Sequence, residues 1–564
     1  MSSSTSGTPI SASPELPREL PARRGFSVTY LGKALLSRID PIAQAERLVS
    51  ALPVKDRTLY LCPSPLYGYG LDLLLGKLGN NSVVLCIEAD EQLYDLSVRN
   101  MGALLGRAKS SIALVKAGSG AGPELCRYVR SKWGERRFRR VEMLRLSMGW
   151  QLFPEAYSGI AEDLRSDMAT GWGNAMTLIK LGRLYARNAV RNLRLLPRLH
   201  DISSLDYGGS PVLVLGAGPS LDKVLDGVIS FFGDKALQPE SRPFRIICAD
   251  TCIPCLKDRS IMPDLVAILE SQHWNLRDFS GVSGWGASAA LDLSSLPASA
   301  RVLAGKAYIF MTPWTGLRLF NRLAEKSLLP TSMSPMGSVG LTAVELARLL
   351  SGGPIITGGI DFSFTMDSYH ARSSPGHLYK LASLNRFASP LNAAAAFRQG
   401  CFPVQSKSGI PVRSDPAMRN YRELFEQEFS KDSGIFDIEG PGLALGVRTL
   451  TLDKAVRVLA QGTYVPCNDS PAPMPKANLN AFIEQEKNLL LRLRDYLTGT
   501  ESGEDSFDGL LDECDYLWAH FPECAGTGGR RPPSSDLSFL KRVRAEIDPF
   551  IKLWDMTLRE IENI

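Results

Sequence analysis

Short apolar runs alternate along this chain with stretches in which apolar positions recur every three or four residues. The first pattern predicts buried strands and the second amphipathic helices. From Thr58, TLYLC (58–62) predicts a strand, a Gly/Pro/Ser loop follows, and LDLLLGKL (71–78) predicts a helix before a second strand, SVVLCIEAD (82–90). LIKLGRLYARNAVRNLRLL, within 155–199, predicts an amphipathic helix. The densest patterning lies between Ser210 and Phe429, where VLVLGA (212–217), FRIICAD (244–250), DLVAILE (264–270), ARVLAG (300–305), AYIFMT (307–312) and PIITGGID (354–361) predict strands. Helical stretches such as LTAVELARLL (341–350) separate several of them. Near-continuous apolar strands alternating with helices predict a doubly wound parallel sheet covered on both faces. From Ala477 onward the pattern is helical in two blocks separated by a Gly/Pro/Ser-rich loop at 525–535.

The resulting expectation is an α/β protein. Residues 1–24, rich in Ser, Thr and Pro, form a disordered tail; 25–154 form a degenerate Rossmann-like domain and 155–204 a helical connector. Residues 205–430 form the central Rossmann-like domain, and 431–564 a linker and an α-helical C-terminal domain whose apolar faces suit partner recognition or subunit pairing. A chain of 564 residues exceeds what one hydrophobic core supports.

Charge narrows the classes of function. Lys and Arg number 64 against 59 Asp and Glu, a net charge of +5, so no bulk electrostatic case exists for nucleic acid or a membrane surface. The arginines at 183, 187, 191 and 194 recur at helical spacing without interleaved aromatics, as on a solvated helix face. No apolar run is long enough to span a bilayer, and the N-terminus lacks a signal-peptide core. The ten cysteines are scattered, and the single C-x-x-C, Cys252–Cys255, lacks a second pair or a redox context. The expectation is a reduced, soluble, cytoplasmic protein.

Candidate chemistry gathers at the ends of the central strands, where open α/β sheets bind ligands. Gly216-Ala217-Gly218-Pro219-Ser220-Leu221 is a tight turn into a helix, with Ser220 placed to cap it and its amides placed to face the phosphate of a nucleotide-type ligand. Asp250-Thr251 and Glu270-Ser271 end two strands, and each carboxylate suits either a ribose or base or a helix cap. Gly337-Ser338 lies in a second small-residue loop entering a helix. Gly359 and Asp361 precede Asp367, Tyr369, His370, Arg372 and His377, a segment holding two of the chain's five histidines. Histidine is the usual general base near neutral pH, and a tyrosine hydroxyl can donate to a departing phosphate. A weaker signal is Gly68-x-Gly70 with Glu88 and Asp90 at ribose-binding spacing; Leu73 stands where the third glycine would be. No zinc-protease, Walker A or Asp-x-Asp motif and no nucleophile elbow is present, and no metal ligands are assigned.

The order GAGPSLD, ICADT, IMPDLVAILES, MGSVGLTAVELARLL and PIITGGIDFSF followed by YHA resembles the motility-accessory-factor (Maf) family of bacterial flagellin glycosyltransferases. The same domain family includes archaeal 6-hydroxymethylpterin pyrophosphokinase-like proteins, and the central region is also similar to bacterial CMP-sialic acid transferases. The resemblance implies inverting transfer of a nonulosonic sugar from a CMP donor to Ser or Thr of flagellin, with no cofactor. It implies that Gly216 to Leu221 cradle the nucleotide, that Asp250 stands at a nucleotide-binding asparagine, and that Gly337 and Ser338 line the CMP site. Of two tyrosines assisting phosphate departure, one is matched by Tyr369 and the other falls on Ser363. The acceptor-activating histidine is matched to His377, with His370 the alternative. Two other functions stay open: a pterin pyrophosphokinase using ATP and Mg2+, with Asp250, Glu270 and Asp361 converging on the metal, and a non-catalytic flagellin-binding protein.

Overall fold

The computed structural model describes residues 16–134, 136–365, 368–387, 399–463, 476–499, 507–526 and 529–563. The chain divides into two compact units, 1–179 with 521–532, and 180–520 with 533–564.

In the first unit a meander of β1 (Arg18–Pro21), β2 (Phe26–Tyr30) and β3 (Lys33–Ala34) precedes α1 (Pro41–Ala51). There follow β4 (Thr58–Pro63), α2 (Leu71–Lys77), β5 (Val83–Glu88), α3 (Glu91–Arg107), β6 (Ile112–Lys116), α4 (Gly122–Trp133), β7 (Arg140–Met143) and the long α5 (Pro154–Asn192). The four later strands form a parallel sheet of order β6-β5-β4-β7. Every residue of β4 and β5 is buried, because helices cover both faces. Arg18–Pro21, expected in the tail, is instead paired antiparallel to β2, where ladder hydrogen bonds hold it despite its exposed side chains. The first fifteen residues of that tail lie outside the described residues.

The second unit begins within α5 and is built on a nine-stranded, all-parallel sheet. Its elements are β8 (His200–Asp201), β9 (Val212–Leu215), α6 (Leu221–Phe232), β10 (Arg245–Ala249), α7 (Ile253–Asp258), β11 (Leu265–Ile268), β12 (Ala289–Asp292) and β13 (Ala307–Phe310). Then come α8 (Arg318–Glu325), α9 (Val339–Leu350), β14 (Ile355–Gly358), α10 (Pro375–Ser383), the hairpin β15 (Phe402–Gln405) and β16 (Pro411–Ser414), α11 (Pro416–Phe429), β17 (Ile435–Ile438), β18 (Arg448–Leu450) and α12 (Leu452–Ala460). Helices α13 (Lys476–Thr498), α14 (Phe507–Glu513) and α16 (Leu537–Glu562) complete the unit, while α15 (Pro522–Ala525) belongs to the first. The α/β class, the doubly wound central sheet and the helical C-terminus are as the sequence predicts.

Three boundaries differ from expectation. The central sheet takes in β8, before residue 205, and β17 and β18, after 430. ARVLAG (300–305) is no strand: Gly284 and Gly286 donate to the carbonyls of Val302 and Leu303, and Ala304 adopts a left-handed φ of 59°. The ladder position is filled by β12, whose Ala289-Ala290 start carries too little apolar bulk to mark it in the sequence. The C-terminal helices cluster with the central sheet. Helices α13 and α16 pack on each other, with Phe482 edge-on to Trp554, so these apolar faces are used within the unit.

The sheet order is β18-β17-β14-β9-β10-β11-β12-β13-β8. The chain runs outward from β9 through β10 to β13, then returns through α9 to β14 on the other flank of β9. Strand order therefore reverses between β9 and β14, and a crevice for ligands is expected at their carboxyl ends.

Candidate active site

Register places the two glycine turns side by side. Gly358 lies opposite Leu215, and the amides of Gly216 and Gly218 donate to the carbonyls of Gly358 and Gly359 at 2.9 and 2.8 Å. A side chain at either position collides: a Cβ on Gly216 would stand 2.6 Å from the Gly359 oxygen, and one on Gly218 2.5 Å from Asp361 Oδ2. These glycines are thus required by the contact between loops, whatever binds above them. The Ser220 amide donates to Asp361 Oδ2 at 2.8 Å, its hydroxyl to Asp361 Oδ1 at 2.7 Å, and the Leu221 amide to the Gly218 carbonyl. Four amides that the sequence reading offers to a phosphate are committed inside the protein. Ser220 occupies the N-cap position without capping, because Asp361 recruits its hydroxyl. Asp361 is buried, which raises its pKa, while Lys407 nearby and the two Ser220 donors oppose the rise. Lys407 is itself buried in an ion pair with Asp437, to which Thr357 Oγ1 also donates at 2.9 Å.

The segment after Asp361 folds back on the first turn. The Ala217 carbonyl accepts the Ala371 amide at 3.0 Å and His370 Nδ1 at 3.2 Å. A carbonyl only accepts, so Nδ1 carries the proton and Nε2 of the neutral ring holds the lone pair. Burial lowers the His370 pKa, with Lys380 and His377 adding to the fall against the bond to Ala217. Tyr369 packs edge-on against His370, with ring centroids 4.6 Å apart, and against Phe364 at 5.0 Å; Lys380 Nζ lies 5.4 Å from the Tyr369 centroid. His377 sits in the first turn of α10, half-buried, where Ser374 caps its amide. Ser363, at the place of the missing tyrosine, is buried with its hydroxyl donating to the Pro441 carbonyl at 2.8 Å. Asp367 lies outside the described residues.

Across β9, the end of β10 carries a second group. Asp250 is buried and accepts from Asn275 Nδ2 at 2.7 Å and from the Thr251 amide at 2.8 Å. Burial first, then the charge of Asp278, pushes its pKa up to about 7, with Glu270 a smaller contributor. Asp278, on the same asparagine, is pushed by burial to about 6. Glu270 is half-buried and accepts the Gln272 amide at 2.9 Å. The Asn275 turn reaches α10 through Arg277, whose guanidinium lies 4.3 Å from the Trp274 ring and 4.9 Å from Tyr379. Asp361 belongs to the Ser220 and Lys407 network instead, and no group of three or more His, Cys, Asp or Glu able to hold a metal occurs among the described residues.

The third wall is the loop at Gly337 and Ser338. Gly337 has φ 66°, and a Cβ there would lie 3.2 Å from the Tyr421 ring, which in turn packs 6.3 Å from Phe362 beside Asp361. Ser338 starts α9 without a side-chain cap bond. The structure thus gathers the turns at 216–221, 337–338 and 359–361 with Tyr369 and His370, and places Asp250, Thr251 and Glu270 on the adjoining strand ends.

Sequence reasoning missed what holds these walls. Asn188 Nδ2 of α5 donates to the carbonyls of Ser271 and Ser294, and Asn192 Nδ2 to those of Leu293 and Ser295, all within 3.1 Å. The expected connector is a staple for two strand-end loops. Its arginines are not simply solvated, since Arg183 pairs with Glu546 and Arg194 with Glu560 of α16. Two buried asparagines four apart were a legible signal; Lys407 and Asp437 carried none. The cysteines of the C-x-x-C are both buried, with pKa values raised by burial, in keeping with the structural reading.

Comparison with known proteins shows what the chain is similar to. An uncharacterized protein of Treponema pallidum (strain Nichols) is 30% identical over 567 residues, covering 95% of each chain. The chain belongs to that protein's family. Another uncharacterized protein of the same organism is 27% identical over 125 residues, 22% of this chain and 53% of its own length. Residues 185–367 match the family described as 6-hydroxymethylpterin diphosphokinase MptE-like. A solved Maf glycosyltransferase from Magnetospirillum magneticum AMB-1 shares the fold, with a TM-score of 0.53, 15% identity, and coverage of 97% of this chain and 93% of that one. Of the three likenesses read from the sequence, Maf overall and MptE-like at the centre are met. No helix among the described residues is long and apolar enough to cross a membrane.

Proposed function

We propose that this protein is an inverting glycosyltransferase that moves a nonulosonic sugar from a CMP donor to Ser or Thr of flagellin without a metal or other cofactor. The observation that carries this reading is His370: half-buried, neutral, its tautomer set by the Ala217 carbonyl, and packed on Tyr369 at the sheet's switch point. In the proposed step Nε2 takes the acceptor hydroxyl proton. The acceptor oxygen bonds to the anomeric carbon as the bond from that carbon to the phosphate oxygen breaks, and CMP leaves with the electron pair while Tyr369 donates to it. His377 is the second histidine of the site and interacts with the first by charge.

The MptE-like match supports a second reading, a pterin diphosphokinase using ATP and Mg2+. Calorimetric titration of the full chain with CMP, ATP and 6-hydroxymethylpterin separates the two. Binding of CMP without divalent cation is expected. Binding of ATP and pterin only with Mg2+, and none of CMP, would replace the first reading with the second.

A further inference from the structure

The first unit carries a groove that this chemistry does not use. It lies between the start of β7 and one face of α5, measures about 600 Å3, and is lined mainly by Arg139, Arg140, Arg165, Met168, Trp172 and Met176. The other lining residues, Val141 and Ala169, are apolar, so no acidic side chain lines it. Arg139 and Arg140 pair with no carboxylate among the described residues, and Arg165 has Glu162 at 3.5 Å. The Arg139 guanidinium lies 5.0 Å from the Trp172 ring centroid, and Trp172 Nε1 donates to the Phe138 carbonyl at 2.7 Å, which fixes the ring.

Shape and charge together define the occupant. Met168, Trp172 and Met176 recur every fourth residue, an apolar stripe of about 12 Å along α5. That length matches about four residues of extended chain. β7 is an edge strand, paired with β4 alone, so one row of its main-chain groups borders no other strand. Three cations beside an apolar stripe and a strand edge suit a polypeptide that alternates acidic and apolar side chains.

We propose that this groove binds an acidic, apolar segment of a partner protein in extended form. Its carboxylates meet Arg139, Arg140 and Arg165, and its apolar side chains lie on Met168, Trp172 and Met176. The inference stands on the first unit alone and does not depend on the transferase reading.

Fluorescence anisotropy of the full chain with labelled ten-residue probes tests it. One probe alternates glutamate with valine, a second alternates lysine with valine, and unlabelled triglutamate serves as competitor. The glutamate–valine probe is expected to bind, more weakly as salt rises, and to lose about tenfold in affinity in the R139E/R140E double variant. Met176→Glu, at an exposed position, is expected to give a similar loss with an unchanged thermal transition. The proposal is overturned if that probe fails to bind at millimolar protein, if the lysine–valine probe binds as well, if either variant keeps full affinity, or if triglutamate competes at equal concentration.

Discussion

The two units contain the same device and use it differently. Each has a parallel sheet whose strand order reverses beside an inner strand, β4 in one and β9 in the other, followed by a glycine-bearing turn into a helix. In the first unit the carboxyl end of the sheet is closed. Val28, Tyr30, Leu35 and Leu36 of the meander region pack with Leu66, Leu93 and Leu96 into a core of their own. Asp90 caps α3 by accepting the Leu93 amide and also accepts from the Tyr30 hydroxyl, while Glu88 is fully buried against Ser97. Of the two carboxylates at ribose-binding spacing, Glu88 has no exposed surface, and the half-buried Asp90 is engaged by the Leu93 amide and the Tyr30 hydroxyl. In the second unit the corresponding ends carry His370, Tyr369, Asp250 and Glu270 around the reversal. A switch point supplies a position for a ligand; the covering chain decides whether the position is used.

The largest effect that would break this contrast is on transfer itself. His370→Ala is expected to lower the rate of sugar transfer about 1,000-fold while CMP binding, read by calorimetry, stays within a few-fold. Loss confined to His377→Ala would move the base to α10, full activity in both variants would place the base outside these histidines, and flagellin binding with no transfer by the unsubstituted protein would support a non-catalytic flagellin-binding protein instead.

A smaller effect tests why the turn needs its glycines. Gly218→Val is expected to destabilise the second unit by about 3 kcal/mol, since its side chain meets Asp361 and the Gly359 carbonyl before any ligand arrives. Hydrogen exchange in β9 and β14 checks this, and unchanged protection with lost CMP binding would return the turn to a role in direct ligand approach.

The gentlest test concerns the closed site. Burial, opposed by its hydrogen bonds, raises the Glu88 pKa from 4.5 to about 8. Between these values the folded state holds a proton that the unfolded state has released, so stability is full below the unfolded pKa and falls as pH rises toward 8. The slope is about 1.4 kcal/mol per pH unit. Protection of β5 amides, corrected for intrinsic exchange, should follow that slope, and Glu88→Gln should flatten it. A flat profile in the unsubstituted protein would mean that the carboxylate is solvated, and the first unit's crevice open.

How much of this was legible depended on range. The buried strands were readable where apolar runs were long, as in β5 and β10, because a sheet covered on both faces admits little else. Strand β12 escaped for want of bulk, and β1 because its four residues expose most of their surface and are held by main-chain bonds. The glycine turns, Asp250, Tyr369 and the histidines were visible as residues of the right chemistry at strand ends. Their roles were not. Ser220 read as a helix cap and proved to be the partner of Asp361, 141 positions along the chain.

By itself, then, the sequence determined the elements, the α/β class, the family resemblance and the set of reactive side chains, since these follow from local periodicity and short motifs. Only the tertiary structure decided which strand ends the β1 to β3 meander covers, which amides are already spent, and which nitrogen of His370 holds the lone pair. Those are properties of contacts between distant segments, made by Ala217, Asp361 and the β1 to β3 meander. Burial and hydrogen bonding set charge and tautomer there, and no local pattern encodes them.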